Sequence, residues 1–237
     1  MAEQGLLASL LAGLATGIGG LPVLLGRRVS HRVLDAVLGF AAGVMFAVSG
    51  GALLVETDLR DPSIIAAALL GGTAVLVLRA VAAVERALGG SRLERGVRIA
   101  LIVTLHNVAE GIAVVATFSF LGSSVGIGVA LAIAAHNVPE GLAVAEPLRR
   151  GGVPPWGCAG LALASGLGEP LGAVVSLAVL GPALSSGGAS ALAAGAMVVL
   201  ASTELIPEAF SHSYVGEAAA GLLVGLVVAL VLVATPW

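Results

Sequence analysis

Eight apolar runs, each about 20 residues long, fill most of this 237-residue chain. They lie at about 5–25, 33–55, 63–83, 99–120, 123–146, 155–180, 189–210 and 216–235. A helix needs roughly 20 consecutive apolar residues to cross a bilayer. The pattern therefore predicts an all-α polytopic membrane protein with eight transmembrane helices, built as one domain over residues 1–237. Composition removes the alternatives. Only 11% of residues are charged and 58% are hydrophobic, whereas a soluble domain carries about 25% charged residues. Such a chain could not cover its own surface in water. Disorder requires the opposite balance. A membrane β-barrel requires segments of about ten residues with alternating polarity, and these runs are unbroken. A net charge of -3 without a basic stripe argues against a nucleic-acid partner. The lone cysteine, Cys158, permits no intramolecular disulfide. The 34 glycines are suited to close helix packing in lipid, and small-residue faces allow a homodimer without requiring one.

The loops fix an orientation. All eleven basic residues are arginine, and ten of them fall on three alternate connections. Arg27, Arg28 and Arg32 follow the first run. Arg79, Arg86, Arg92, Arg95 and Arg98 lie in the region that runs from the end part of the third to the start of the fourth, and Arg149 and Arg150 follow the fifth. Arg60, among acids, is the exception. Positive charge marks cytoplasmic loops, so the reading is a multi-pass inner-membrane protein with both termini extracytoplasmic. The N-terminal MAEQ lacks a positive n-region, so the first run reads as a retained helix.

Ionisable residues inside the apolar runs point to function. At mid-membrane each costs at least about 2.5–3.5 kcal/mol on insertion scales, so such groups face an interior and pair with something. The fourth run reads HNVAEGIAV from His106 and the fifth HNVPEGLAV from His136, with seven of nine letters shared. His106 and Glu110 are four residues apart and share a helix face, as do His136 and Glu140. A short turn joins the two helices, so they run antiparallel. Two such copies can converge about a pseudo-two-fold axis in the membrane plane, the inverted-repeat arrangement that frames midplane transport sites. Two imidazoles and two carboxylates offer four N/O donors, which suits Zn²⁺. Fe²⁺ and Mn²⁺ accept the same donors. Asn107 and Asn137, about 100° further round, are candidate oxygen donors. Pro139 removes an N–H and frees the Ala135 carbonyl. A single His–Glu pair is as readily a packing device as a ligand pair; two near-identical copies on neighbouring helices favour the ligand reading.

Other positions are less specific. Glu169, in GLGEPLGA, is a further candidate ligand on the sixth helix. Glu204, Glu208 and His212, in STELIPEAFSH, suit an exit-side relay or ordinary solvated helix ends equally. Glu56, Asp58 and Asp61 could concentrate cations at an entrance, although interfacial charge explains them at least as well. Met45, in GFAAGVM, is a soft donor by type and a packing residue by default. His31, beside arginines, reads as a solvated loop residue, and Glu146 with Pro147 as the end of the fifth helix.

On HNVAEG and HNVPEG the sequence resembles the ZIP family of divalent-metal transporters, most of all its compact bacterial ZupT or GufA-like branch. GFAAGVM, GLGEPLGA and ELIPEA are similar to family segments, so the resemblance covers nearly the whole chain. It implies a ZIP-type eight-helix bundle with inverted pseudo-symmetry. It also implies termini outside and a two-metal site between helices 4, 5 and 6. Family resemblance makes His106, Glu110, His136 and Glu140 primary ligands, with both glutamates bridging to a second metal near Asn107, Asn137 and Glu169. Met45 matches a methionine near the primary site. The family's long His-rich loop between helices 3 and 4 is missing here. Members move metal into the cytoplasm by an elevator-like alternating-access motion. The expected partners are divalent metal ions (Zn²⁺, with Fe²⁺, Mn²⁺ or Cd²⁺ open) as transported substrate and the lipid bilayer, with no prosthetic group and no enzyme activity. Two other readings use the same residues. An intramembrane zinc hydrolase needs an open coordination position and a general base; the chain has no HExxH motif and its motif carboxylates are already assigned. A passive metal channel is not separated from a carrier by sequence.

Overall fold

The computed structural model describes residues 1–27, 29–54, 57–87, 92–181 and 187–237. Among these residues it is helical, without strands, and eight helices are long and apolar enough to cross a membrane. We number them α1 (Ala2–Leu24), α2 (His31–Leu54), α3 (Pro62–Ala87), α4 (Arg92–Phe120), α5 (Ser123–Arg150), α6 (Pro155–Val179), α7 (Gly188–Ala209) and α8 (Val215–Ala234). The predicted all-α, eight-span class is what the chain adopts. Boundaries differ from expectation chiefly at α4, which starts earlier, and at α5, which runs past Pro147 to Arg150. Glu146 therefore does not end its helix: it is buried and accepts a hydrogen bond from the Arg150 Nε at 3.0 Å.

Two helices are interrupted, each beside a proline. α1 consists of Ala2–Gly19 and Leu21–Leu24, with Pro22 in the first turn of the second piece. α6 consists of Pro155–Gly166 and Gly168–Val179, divided at Leu167 three residues before Pro170. Proline has no N–H to donate to the carbonyl four residues back, so a helix reaching it breaks or kinks. α5 absorbs Pro139 and Pro147 without interruption. α2 and α7 instead widen into π-helix, over Ala47–Leu54 and Ala201–Leu205. Beside the π turn of α7 the Ser202 and Thr203 hydroxyls donate to Val198 O and Val199 O at 2.7 and 2.6 Å.

Packing follows small residues. α1, α4, α5 and α6 pack on one another, while α2 pairs with α8 and α3 with α7. At each pairing the backbones meet where a side chain would not fit. A Cβ on Gly111 (α4) would strike the Glu169 carbonyl of α6, one on Gly141 (α5) the Thr16 carbonyl of α1, and one on Gly221 (α8) the Ala36 carbonyl of α2. Between α4 and α5 the turn is made at Gly122, whose φ of +90° is left-handed backbone that glycine alone adopts freely. This tight turn makes the two motif helices antiparallel neighbours. The outward faces carry Leu69, Leu70, Leu171, Leu223, Val227 and Val231, all exposed, while most of the motif polar groups are buried. That inversion of the soluble pattern fits a lipid surround.

The close α2–α8 approach yields the first prediction. Gly221→Leu should lower the thermal midpoint of the detergent-purified protein by at least about 3 °C, from the roughly 1–3 kcal/mol that overpacking costs. Gly160→Leu, at a position facing open space, should leave it within about 1 °C. Equal midpoints in a fluorescence-monitored melt would count against glycine-set packing.

Candidate metal centre

α4 and α5 bring His106, Glu110, His136 and Glu140 to one place. Each contributes a ligand-type atom, and these atoms all lie within 4.8 Å of one another. The four side chains are buried, at 3% exposure or less. His136 Nε2 is 2.9 Å from Glu110 Oε1, and His106 Nε2 is 3.3 Å from the same carboxylate oxygen. Glu140 closes the cluster, 3.6 Å from His106 Nε2 and 3.9 Å from His136 Nε2. The imidazoles stand edge to face with centroids 5.8 Å apart.

These contacts are at ion-pair distance but lack hydrogen-bond geometry. Both Glu110 oxygens, Glu140 Oε2, His106 Nε2 and both His136 ring nitrogens have no hydrogen-bond partner among the described residues. Buried polar atoms are normally satisfied, so a convergent set of unsatisfied ones points to a ligand. Two anionic carboxylates would neutralise a divalent ion, and two imidazoles would complete a four-donor N/O set of the kind zinc takes.

A polar layer lies alongside. Asn107 Nδ2 donates to the Ser165 carbonyl at 2.9 Å, at the break in α6. Asn137 Nδ2 donates to the Ala12 carbonyl of α1 at 2.8 Å and also to Glu169 Oε1. Each amide is thereby anchored through its nitrogen to a third helix, which fixes its oxygen. Asn107 Oδ1, Asn137 Oδ1 and Glu169 Oε2 are buried without a partner among the described residues. Glu169 is fully buried in the first turn of the second half of α6.

From His106 and Glu140 a cavity of about 400 Å³ extends to Arg79, Thr203, Glu204 and Glu208, with Leu34, Leu38 and Val103 among its apolar walls. Glu204 and Glu208 thus share a space with the cluster. His212 sits elsewhere: its Nδ1 is 2.9 Å from Asp35 Oδ1, and its ring lies 4.0 Å from that of His31. His31, expected as a solvated loop residue, opens α2 and has its Nε2 3.1 Å from Arg150 Nη1. Met45 is buried in the apolar core of α2. Asp58 and Asp61 are exposed and bonded to local turns, accepting from the N–H groups of Arg60 and Ser63. The Ser63 hydrogen bonds hold the Asp61 carboxyl below its ordinary value. Glu56 lies outside the described residues. Sequence reasoning missed Asp35, fully buried in α2, and the pairing of Arg79 with Glu204. An aspartate inside an apolar run was a usable signal. Arg79, inside the third run at 63–83, carried the same signal.

Two predictions follow from the cluster. His106→Ala and Glu110→Ala should each weaken Zn²⁺ binding by about tenfold or more, that is by at least about 1.4 kcal/mol, in isothermal titration; wild-type affinity in both would remove these residues from the ligand set. Protons and metal compete for the same nitrogen and oxygen lone pairs, so Zn²⁺ affinity should fall as pH is lowered from about 8 to about 5. An affinity flat across that range would contradict histidine ligation.

A family model described as ZIP Zinc transporter matches residues 88–233. The chain is 40% identical over 248 residues to the protein named zinc transporter GufA of Myxococcus xanthus, covering 96% of this chain and 97% of that one. It is 38% identical to a zinc transporter ZupT of Chlorobium phaeovibrioides, covering 94% of each chain. With zinc transporter ZIPB of Bordetella bronchiseptica it shares 36% identity over 89% of this chain and 74% of the relative.

Proposed function

From the premise that this chain belongs to the ZIP zinc transporter family, we propose that it carries Zn²⁺ across the inner membrane into the cytoplasm through the His106–Glu110–His136–Glu140 cluster. The observation that carries the reading is the convergence of buried, unbonded donor atoms at one end of the 400 Å³ cavity. A divalent ion held by two carboxylates forms a complex of no net charge, which a low-dielectric interior accepts far more readily than a bare ion. The cavity leads from that cluster toward Arg79, Glu204 and Glu208. By the arginine distribution this end is cytoplasmic, so the cavity is an exit route and both termini lie outside. The relatives are named as transporters, which goes with transport of the metal and not with hydrolysis at it.

Glu169, Asn107 and Asn137 make a second, weaker position beside the first. A second cation there repels the primary ion and competes for the bridging glutamates, so a tightly selected metal is still released. Whether Fe²⁺, Mn²⁺ or Cd²⁺ shares the route depends on the same N/O donors, which accept them all.

Uptake of radioactive or dye-reported Zn²⁺ by proteoliposomes tests the function. Saturable uptake should be abolished by Glu110→Ala. Glu169→Ala should retain one tightly bound metal per protomer, lose the second, and slow initial uptake. Loss of all binding in Glu169→Ala would move it into the primary site, and an unchanged stoichiometry and rate would end the two-metal reading. Orientation is tested separately. A cysteine replacing exposed Arg27, on a Cys158→Ala background, should resist an impermeant thiol reagent in intact cells; ready labelling would invert the topology.

A further inference from the structure

Among the described residues that line the cavity, Arg79 is the one arginine. Arg79, from α3, places Nη1 2.5 Å from Glu204 Oε1 of α7, and both side chains are largely shielded, at 29% and 23% exposure. Both line the cavity that also contacts His106 and Glu140. Glu204 is presented by the π turn Ala201–Leu205, where the backbone departs from the α-helical register. A carboxylate in that position faces an ion leaving the four-ligand cluster. Unpaired and poorly hydrated, it would bind Zn²⁺ and hold it, because a carboxylate's attraction for a divalent ion rises steeply as solvent is excluded. A guanidinium already on the carboxylate changes that. It is charged at every physiological pH and forms directional bonds to carboxylate oxygens.

We propose that Arg79 is a release-positioning residue: its guanidinium occupies Glu204 and keeps this exit carboxylate from trapping the departing metal. The inference rests on the cavity being the transport route. An ion leaving the cluster is drawn toward the carboxylates of the cavity, shares Glu204 only while it displaces Arg79, and is expelled when the guanidinium returns. Arg79 thus exchanges places with the cargo, and no proton has to be moved. A lysine could stand in electrostatically, as a point charge on a flexible stem, although without the planar fork.

The test is Zn²⁺ uptake and equilibrium Zn²⁺ stoichiometry in the full-length protein, in proteoliposomes of one lipid composition. Arg79→Gln removes the counter-ion and leaves Glu204 free. Its uptake rate at saturating Zn²⁺ should fall several-fold, its half-saturating concentration should not rise, and bound Zn²⁺ should increase by about one ion per protomer. Arg79→Lys should restore most of the rate. The double variant Arg79→Gln/Glu204→Gln removes both charges, and should recover the rate and lose the additional bound ion. That recovery is the result a merely structural role for the pair would not give. It also keeps the inference testable if the single Arg79→Gln protein folds poorly. A rate in Arg79→Gln that is unchanged or faster, or a double variant as slow as the single one, would overturn the proposal. Absence of uptake by the wild-type protein in the same vesicles would instead overturn the transport reading, and this inference with it.

Discussion

Four ionisable side chains held inside an apolar bundle are the constraint on which this structure depends. His106, Glu110, His136 and Glu140 are buried with most of their polar atoms unbonded among the described residues. Burying a polar atom without a partner costs about 1–3 kcal/mol, and more where the group is charged. A divalent cation held there would cancel the charge of the two carboxylates and offset part of that cost. The residues that cost the apolar bundle folding energy are also its candidate metal centre.

The rest of the architecture serves to hold that cluster together. The turn at Gly122 sets α4 against α5, and Gly111 and Gly141, each directly after a motif glutamate, let α6 and α1 approach at backbone distance. α6 breaks beside Pro170, and Asn107 donates to the Ser165 carbonyl there, so the interruption supplies a partner for a motif side chain. Asn137 repeats the arrangement against α1 and Glu169. The cavity then lies where these helices face α2, α3 and α7, with Glu140 on one wall and Arg79 and Glu204 on another. A site between two sets of helices is placed so that relative movement of the sets changes access to it.

Much of this was legible in the sequence, for physical reasons that differ by residue. Each span announces itself because a bilayer demands a long apolar run, and the eight runs match the eight helices. His106 and Glu110, like His136 and Glu140, were readable as neighbours because a helix places residues four apart on one face. What stayed hidden depends on tertiary contact. Arg79 lies near the end of an apolar run, but its partner shows only when α7 brings Glu204 to it. Asp35 acquires its partner from His212, 177 residues away in sequence, and His31 joins them only because α2 begins there. The π segment of α2, Ala47–Leu54, is as apolar as its surroundings, whereas that of α7 holds Ser202, Thr203 and Glu204.

The central claim is that zinc is bound by imidazole and carboxylate from α4 and α5 together. X-ray absorption at the zinc edge, on detergent-purified protein loaded with one equivalent of Zn²⁺, tests it most directly. The account predicts nitrogen and oxygen neighbours at about 2.0–2.2 Å with the outer-shell scattering of two imidazole rings. A zinc environment without imidazole scattering would contradict it.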